Sequence, residues 1–480
     1  MKKIKAAVVL LFIFLLLLPL CTFNWEKDAV SAIDNRSLAP NPFTRREANR
    51  AGRDLTEDIE AFVSDRIGLR DPMILGYTLL NDRVLGIMVH PSYTYGKEGY
   101  VFFKIPQNEK YSEYHEDFAN LVRQMEDYCR ERSTPFLFVL NPSKISVLSD
   151  YLPKGVCYDN RWLGRFLSAL DERGVHYISN MQLLKEKAGA GEFVFNQKYD
   201  AGHWNALGAF YGVNHILSAL SEDFPKLRPN SRSEFEVSEI LQTSLPVSEF
   251  PIHEMTPVFQ LKQETEDQTG RYLDEVERDS SYRAFGYRVN PARLREGAPK
   301  ALVFQGSYMN GQGNIFLQNA LGEYIFVHDY QNVMNLPYYF NLFQPDCVVF
   351  EAAEYTLTDT YFSWERMKAV NFNPPLKRMM QEANETGSIE NKTLADLRAE
   401  QGKALTKITW SGDPEGEYAW LVLGGCEYDF IKRAPGVYEA AVENSIWDLW
   451  KHDIKTAQWK EGCLKLYNAS DSSKRACPEE

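Results

Sequence analysis

Hydrophobic patterning starts at once. Met1-Lys2-Lys3-Ile4-Lys5 precedes an apolar run from Ala6 to Leu20 that only Pro19 interrupts. Lysines before such a run fit a cytoplasmic flank. Counted through Phe23, the run reaches the lower edge of the ~17–25 residues that a spanning helix needs. No small-x-small cleavage site precedes Asn24, and Pro19 and Leu20 replace the small residues a lipoprotein site wants before Cys21. The pattern favours an uncleaved anchor over a cleaved signal peptide. Either one exports everything after residue 25.

Residues 24–75 read as a polar stem. Asn35 to Thr44, rich in Pro and Asn, predicts a linker, and Asp54 to Arg70 a helix with Leu55, Ile59, Phe62 and Val63 on one face. The segment Tyr95 to Phe103 predicts a turn leading into a short strand. Residues 111–132 carry Phe118, Leu121, Val122, Met125 and Cys129 at helical spacing. The continuous run Pro135 to Leu140 suits a buried parallel strand. A helix over 160–173 and a strand from Val175 to Ile178 repeat the alternation. A further helix carries Ala206, Phe210, Val213, Leu217 and Leu220. Residues 222–298 give no clear pattern, and the acidic stretch 264–279 reads as a solvated helix or insertion. Strands resume at Ala301–Phe304, Tyr324–Val327 and Cys347–Phe350. Such β-α-β order implies an α/β fold: a parallel sheet with helices on both faces. A polar stretch precedes short strands with Gly and Asp turns, such as Ala419 to Leu423. The division that follows is an anchor over 1–23, a stem over 24–75, an α/β domain over 76–380, a linker over 381–403 and a small β-domain over 404–480.

Composition narrows the class. The chain has 480 residues, 44% apolar and 25% charged, as a globular protein of more than one domain has. The net charge of −13 argues against nucleic acid and anionic membrane surfaces as partners. The seven cysteines form no CxxC and no Cys/His spacing that fits zinc, so no metal is implied. Cys347 lies in an apolar strand and reads as core, while Cys426, Cys463 and Cys477 leave room for one disulfide.

Ligands of an open α/β sheet bind beyond the C-terminal ends of its strands. Ser307 stands at such an end, after Gly306. There its hydroxyl can enter the crevice while following backbone N–H groups face a developing oxyanion. A serine nucleophile needs a base, and the base an orienting carboxylate. Asp200 and His203 supply that pair in one loop, with Trp204 positioned to wall the site. A Gly-Ser after a strand is common, and an Asp-x-x-His also suits a helix cap. Their coincidence on one fold singles them out. His328-Asp329 also follows a strand and reads as structure or site lining. Asn310 and Asn141 are candidate oxyanion partners.

The ordered pieces of residues 75–365 resemble a known family. They are Tyr95 to Phe103, Asn141-Pro142-Ser143-Lys144, Asp200-Ala201-Gly202-His203-Trp204-Asn205, Val303 to Tyr308, and Val348-Val349-Phe350-Glu351 with Glu354-Tyr355. Together they are similar to the SGNH-hydrolase-like O-acetyltransferases of the alginate-modifying, AlgX/AlgJ-like type. Departures are the direct Gly306-Ser307 junction, the two residues between Asp200 and His203, and Tyr355 where an arginine is common. The resemblance implies a Ser307-His203-Asp200 triad that moves an acetyl group through an acetyl-serine to a polysaccharide hydroxyl, without metal or cofactor. The acetyl donor would come from a multispanning membrane O-acyltransferase or another activated acetyl ester. It also implies substrate contacts by Trp204, Lys144, Tyr308, Asn310 and Glu351, although for Lys144 a surface or capping role is favoured over binding a donor or acceptor anion. The C-terminal domain would be carbohydrate-binding if Trp410, Trp420, Trp447, Trp450 and Trp459 are exposed, and ordinary if they are core. An esterase of the same fold and a non-catalytic glycan-binding scaffold are the competing readings.

Overall fold

The computed structural model describes residues 2–26, 29–31, 36–43, 55–89, 92–104, 110–245 and 251–468. Cys477, Asp54 and the ends of the expected 35–44 linker lie outside them. Among the described residues one helix, Ile4–Cys21, is long and apolar enough to cross a membrane, and none of it is buried against the others. The next helix is Leu55–Arg66. Of the apolar face expected there, Phe62 is buried but Leu55 and Val63 are exposed.

The centre is a seven-stranded sheet. In chain order its strands are β1 (Phe136–Asn141), β2 (Tyr177–Ser179), β3 (Glu266–Asp267), β4 (Phe285–Val289), β5 (Lys300–Gln305), β6 (Glu323–His328) and β7 (Cys347–Ala353). They lie in the order β2-β1-β7-β5-β6-β4-β3. Strands β2, β1, β7, β5 and β6 run parallel, and β4 and β3 close one edge antiparallel. Side chains alternate across a strand. Accordingly Phe138, Leu302, Phe304, Val348 and Phe350 enter one core, packed by the helix Glu113–Glu131 and the helix Arg161–Glu172. Val139, Ala301, Val303 and Val349 enter the opposite core, under the helix Ala206–Leu220. Both faces of the central strands are covered, which is why they read as continuous apolar runs.

The acidic stretch 264–279 is neither a solvated helix nor a separate insertion. It holds the edge strand β3 and a single helical turn, Thr269–Tyr272, whose Tyr272 is buried. Before it comes a long hairpin of Phe235–Ser244 against Pro251–Leu261. At the C-terminus a five-stranded and a four-stranded sheet face each other over Ile408, Trp410, Leu421, Tyr428 and Val442. The segment 381–403, expected as a linker, is built into this region. It contains the end of the helix Leu376–Thr386 and the strands Ile389–Thr393 and Leu397–Gln401. Trp410, Trp420, Trp447 and Trp459 are core here and offer no sugar-binding face. Cys129, Cys347, Cys426 and Cys463 are free.

Candidate functional site

The C-terminal ends of β1, β5, β6 and β7 meet along one edge of the sheet. In register Gln305 pairs with His328, and Ala353 with Asn141. Gly306 leaves β5 and the chain turns into a helix, with Ser307 in its first turn. The opening N–H groups of a helix have no intrahelical partner, so this turn presents donors beside the hydroxyl.

The structure brings Ser307, His203 and Asp200 together. His203 Nε2 lies 2.8 Å from Ser307 Oγ, and His203 Nδ1 lies 2.8 and 2.9 Å from the two Asp200 carboxylate oxygens. With Nδ1–H given to Asp200, Nε2 is left to accept the serine proton. Asp200 adopts a left-handed backbone (φ 56°), which Asp tolerates better than most residues. That turn lets its carboxylate also accept the N–H groups of Gly202 and His203, at 3.1 and 3.0 Å. Burial works against the Asp200 charge, but His203 and these two N–H groups outweigh it and hold its pKa below the ordinary value.

The loop is clamped from several sides. The backbone N–H groups of Gln197, Lys198 and Tyr199 all donate to the Glu254 carboxylate of the hairpin. Gly202 lies against Phe103, so close that a Cβ there would sit 2.6 Å from the ring. Asn205 caps the following helix, accepting the N–H groups of Leu207 and Gly208 at 3.0 and 2.9 Å.

Several residues expected to touch substrate do other work. Trp204 is buried and donates its Nε1–H to the Tyr308 carbonyl at 2.9 Å, so it braces the serine turn from beneath rather than walling the opening. Tyr308 is buried, its hydroxyl 2.8 Å from the carbonyls of both Pro142 and Gly202, joining the turn to β1 and the His203 loop. Lys144 is neither a surface lysine nor an anion contact. Its ammonium is buried and donates to the carbonyls of Val101 and Gln197 at 2.9 and 3.3 Å. Burial lowers its pKa to about 7, against the opposing pull of Asp200 and Glu254. Glu351 is also buried and does not line the opening. It accepts the Gly306 N–H and the Asn141 amide, both at 2.8 Å. These bonds turn Asn141 towards the interior, and Asn310 is held by Gln305 at 2.7 Å.

Tyr355 is the residue that the sequence marked only as a departure. Its hydroxyl lies 2.8 Å from Ser307 Oγ and 3.4 Å from His203 Nε2, while the residue as a whole is 38% exposed. The signal available was its place two residues past β7, at the same edge as Ser307. Tyr361, the buried Tyr330 and the exposed Tyr282 continue the aromatic row, with ring centroids 6.1, 4.9 and 4.6 Å apart in turn from Tyr355. Asp329 is buried beside the Gly306 Cα, its carboxylate 3.1 Å from His328 Nδ1, and burial raises its pKa against the pull of that histidine. Among the described residues no group of three or more His, Cys, Asp or Glu is arranged to hold a metal ion.

No family model matches the chain, and no curated protein does. Solved structures similar to it include PatB1 of Bacillus cereus, at 15% identity and a TM-score of 0.43 over 55% of this chain and 96% of that one. The O-acetyltransferase domain of Pseudomonas putida AlgJ matches at 15% identity and a TM-score of 0.39, over 58% of this chain and 99% of the domain. Pseudomonas aeruginosa AlgX matches at 11% identity and a TM-score of 0.36, over 79% and 90%. The latter two carry the names of the family that the sequence motifs resemble.

Proposed function

We propose that this chain is an extracytoplasmic O-acetyltransferase that moves an acetyl group to a hydroxyl of a cell-surface or secreted polysaccharide. The observation that carries the reading is the unbroken hydrogen-bond line from Asp200 through His203 to Ser307 at a strand end. Ser307 Oγ attacks the acetyl carbonyl while its proton passes to His203 Nε2. The N–H groups of the Ser307 turn stabilise the oxyanion. The oxyanion then collapses, the bond to the donor breaks, and His203 returns the proton to the leaving group. This leaves acetyl-Ser307. A sugar hydroxyl next gives its proton to His203 Nε2 and attacks the acetyl carbon, and Ser307 Oγ leaves with that proton. Asp200 stays ionised and holds the imidazole in the tautomer that can accept. Tyr355 donates to Ser307 Oγ and fixes its rotamer before attack. The ring faces of Tyr361 and Tyr282 suit a sugar acceptor, whose axial C–H groups pack on aromatic surfaces. The donor is an activated acetyl ester, passed outward by a multispanning membrane acyltransferase.

Esterase action is the second reading, supported by the partial exposure of Ser307 and Tyr355, which admits water to the acyl-enzyme. One experiment separates the two. The full chain in detergent is given 4-nitrophenyl acetate with and without an oligosaccharide acceptor, as wild type, Ser307→Ala and His203→Ala. Both variants should lose about 10³-fold or more of nitrophenol release. Acetylated oligosaccharide in the wild-type reaction supports transfer, and free acetate alone, unaffected by acceptor, supports hydrolysis. Equal rates in all three proteins would overturn both readings.

A further inference from the structure

The stem carries an apolar helix face that stands exposed among the described residues. A helix spans Arg70–Leu80 and runs on, as a π-helical turn, through Asn81–Leu85. Met73, Tyr77, Leu80 and Val84 recur at steps of four, three and four on one side, and are 51%, 58%, 60% and 68% exposed. Leu69, Leu85 and Ile87 extend the exposed apolar surface. Of the helix's charged residues Arg83 alone is exposed, and its long stem suits an interface between apolar and polar layers; Arg70, Asp71 and Asp82 are partly buried, Arg70 paired with Asp71 at 2.8 Å and Asp82 accepting the Tyr95 hydroxyl. The opposite side of the helix is built into the protein: Thr78 and Asn81 are buried, and Thr78 donates to the Val89 carbonyl at 2.9 Å. A contiguous exposed stripe of this kind marks an interaction surface.

The position of the stripe says what covers it. Gly68 stands two residues before the helix, and its N–H donates to the Pro19 carbonyl at 2.9 Å, inside the membrane-length helix. A Cβ on Gly68 would lie 1.9 Å from Thr22 Oγ1, so only glycine permits this approach. Asn24 N–H donates to the Arg66 carbonyl at 2.8 Å, and the Arg66 guanidinium binds the carbonyls of Asn24, Glu26 and Ala39. The outer end of the anchor is therefore fastened directly to the start of the stem helix.

We propose that residues 69–87 form an interfacial helix lying on the outer surface of the bilayer that the anchor crosses. The stripe Met73, Tyr77, Leu80 and Val84 sinks into the boundary between headgroups and acyl chains, as amphipathic interfacial helices do. The proposal rests on the reading of Ile4–Cys21 as an anchor that stays on the chain. Its consequence reaches the catalytic loop. Just after the stripe, Met88 packs on Tyr93, Val101, Ala201 and Leu245, and Ala201 adjoins Asp200. Anchor and interfacial helix together hold the His203 loop at the membrane surface, where an acetyl group arriving through the membrane emerges.

The test uses the full chain reconstituted in phosphatidylethanolamine/phosphatidylglycerol vesicles doped with a phospholipid that carries a diazirine on its acyl chain. After illumination, tryptic peptides are mapped by mass spectrometry. The sequence supplies separate reporters: 6–27 for the anchor, and 71–83 and 84–97 for the stem helix. Lipid adducts on 6–27 and on 71–83 are the expected result. A triple variant, Met73→Glu, Leu80→Glu and Val84→Glu, alters exposed positions only and should lose the adducts on 71–97 at least fivefold while 6–27 keeps its own. Adducts on 6–27 alone in the wild type overturn the inference and assign the stripe to a protein partner or a second copy. Adducts on neither overturn the anchor reading, and the inference falls with it.

Discussion

Glu351 offers a sharp test of how the serine turn is supported. Its carboxyl is buried and takes one donor on each oxygen, the Asn141 amide and the Gly306 N–H. Burial, then the nearby charge of Asp329, push its pKa up from 4.5 to about 8, and the two donors only partly oppose this. Folded chains therefore keep a proton on Glu351 that unfolded chains have already released between pH 4.5 and 8. Across that window the unfolded state binds fewer protons, so stability falls as pH rises. A fully shifted group contributes a slope of about 1.4 kcal/mol per pH unit, or on the order of 4 kcal/mol from pH 5 to 8. Glu351→Gln keeps the shape and removes the titration. The free energy of unfolding, read in urea by tryptophan fluorescence, should favour wild type over the variant at pH 5. That advantage should shrink by on the order of 4 kcal/mol by pH 8. Two curves that run parallel from pH 5 to 8 would show that Glu351 does not titrate in this window, and would refute the reasoning.

Tyr355→Phe removes the hydroxyl that meets Ser307 Oγ and leaves the Ser307–His203 bond intact; a loss of about 1 kcal/mol, or roughly fivefold in kcat/KM for a chromogenic acetyl ester, is expected. A loss above a thousandfold would instead make Tyr355 a proton carrier. In Gly212→Ala the new methyl would sit 2.3 Å from Trp204 Cζ3, so overpacking of about 1–3 kcal/mol should lower the melting temperature. Ester turnover should fall as well, because Trp204 holds the Tyr308 carbonyl. Asp429→Ala takes from the Arg132 guanidinium the carboxylate it meets at 3.1 and 3.0 Å, leaving it Glu427 at 3.7 Å, and takes from the buried Tyr128 hydroxyl its acceptor, where the C-terminal sheets dock on the helix Glu113–Glu131. A cost of about 3–5 kcal/mol in urea unfolding is expected, and a change below 1 kcal/mol would deny that this ion pair fastens the two parts.

The central strands were legible because they are buried on both faces, and unbroken apolar runs such as Phe136 to Leu140 have few alternatives. The antiparallel edge was not. Phe285 and Gly286 are buried and Tyr287, Arg288 and Val289 only partly so, with no period-two alternation to mark a strand inside a polar region, and its partner β3 is just two residues long. The hairpin was hidden for a related reason: Ile240, Leu241 and Met255 stand exposed along it, so its pattern carries no clean inward face. At the site, chemistry-bearing types at strand ends picked out Ser307, His203 and Asp200, which the fold gathers. The supporting residues went astray because type does not report direction. Lys144, Glu351, Trp204 and Tyr308 all turn inward to satisfy backbone groups of the loops they hold. Glu254, which clamps the Asp200 loop, comes from that hidden hairpin, so nothing local could pair the two.

Lys144 and Glu351 give the site two buried ionisable supports whose pH dependences run in opposite directions. Burial lowers Lys144 to about 7, so between pH 7 and about 10 the unfolded chain holds a proton that the folded chain lacks. In that range stability gains up to about 1.4 kcal/mol per unit as pH rises, the reverse of Glu351 at lower pH. Below 7 the lysine is charged in the fold, and its burial is offset only by two carbonyls and the nearby carboxylates of Asp200 and Glu254. The two slopes overlap near neutrality, where each group sits close to its own midpoint, and there they cancel. Relative to a double variant that lacks both groups, the wild-type chain should accordingly show nearly flat stability from pH 7 to 8, while Lys144→Met exposes the falling Glu351 slope and Glu351→Gln exposes the rising lysine slope. The double variant carries neither group and supplies the baseline set by every other titrating side chain, Glu427 at about 7 among them. A wild-type profile that departs from that baseline by about 1 kcal/mol or more between pH 7 and 8 would show that the two slopes do not cancel.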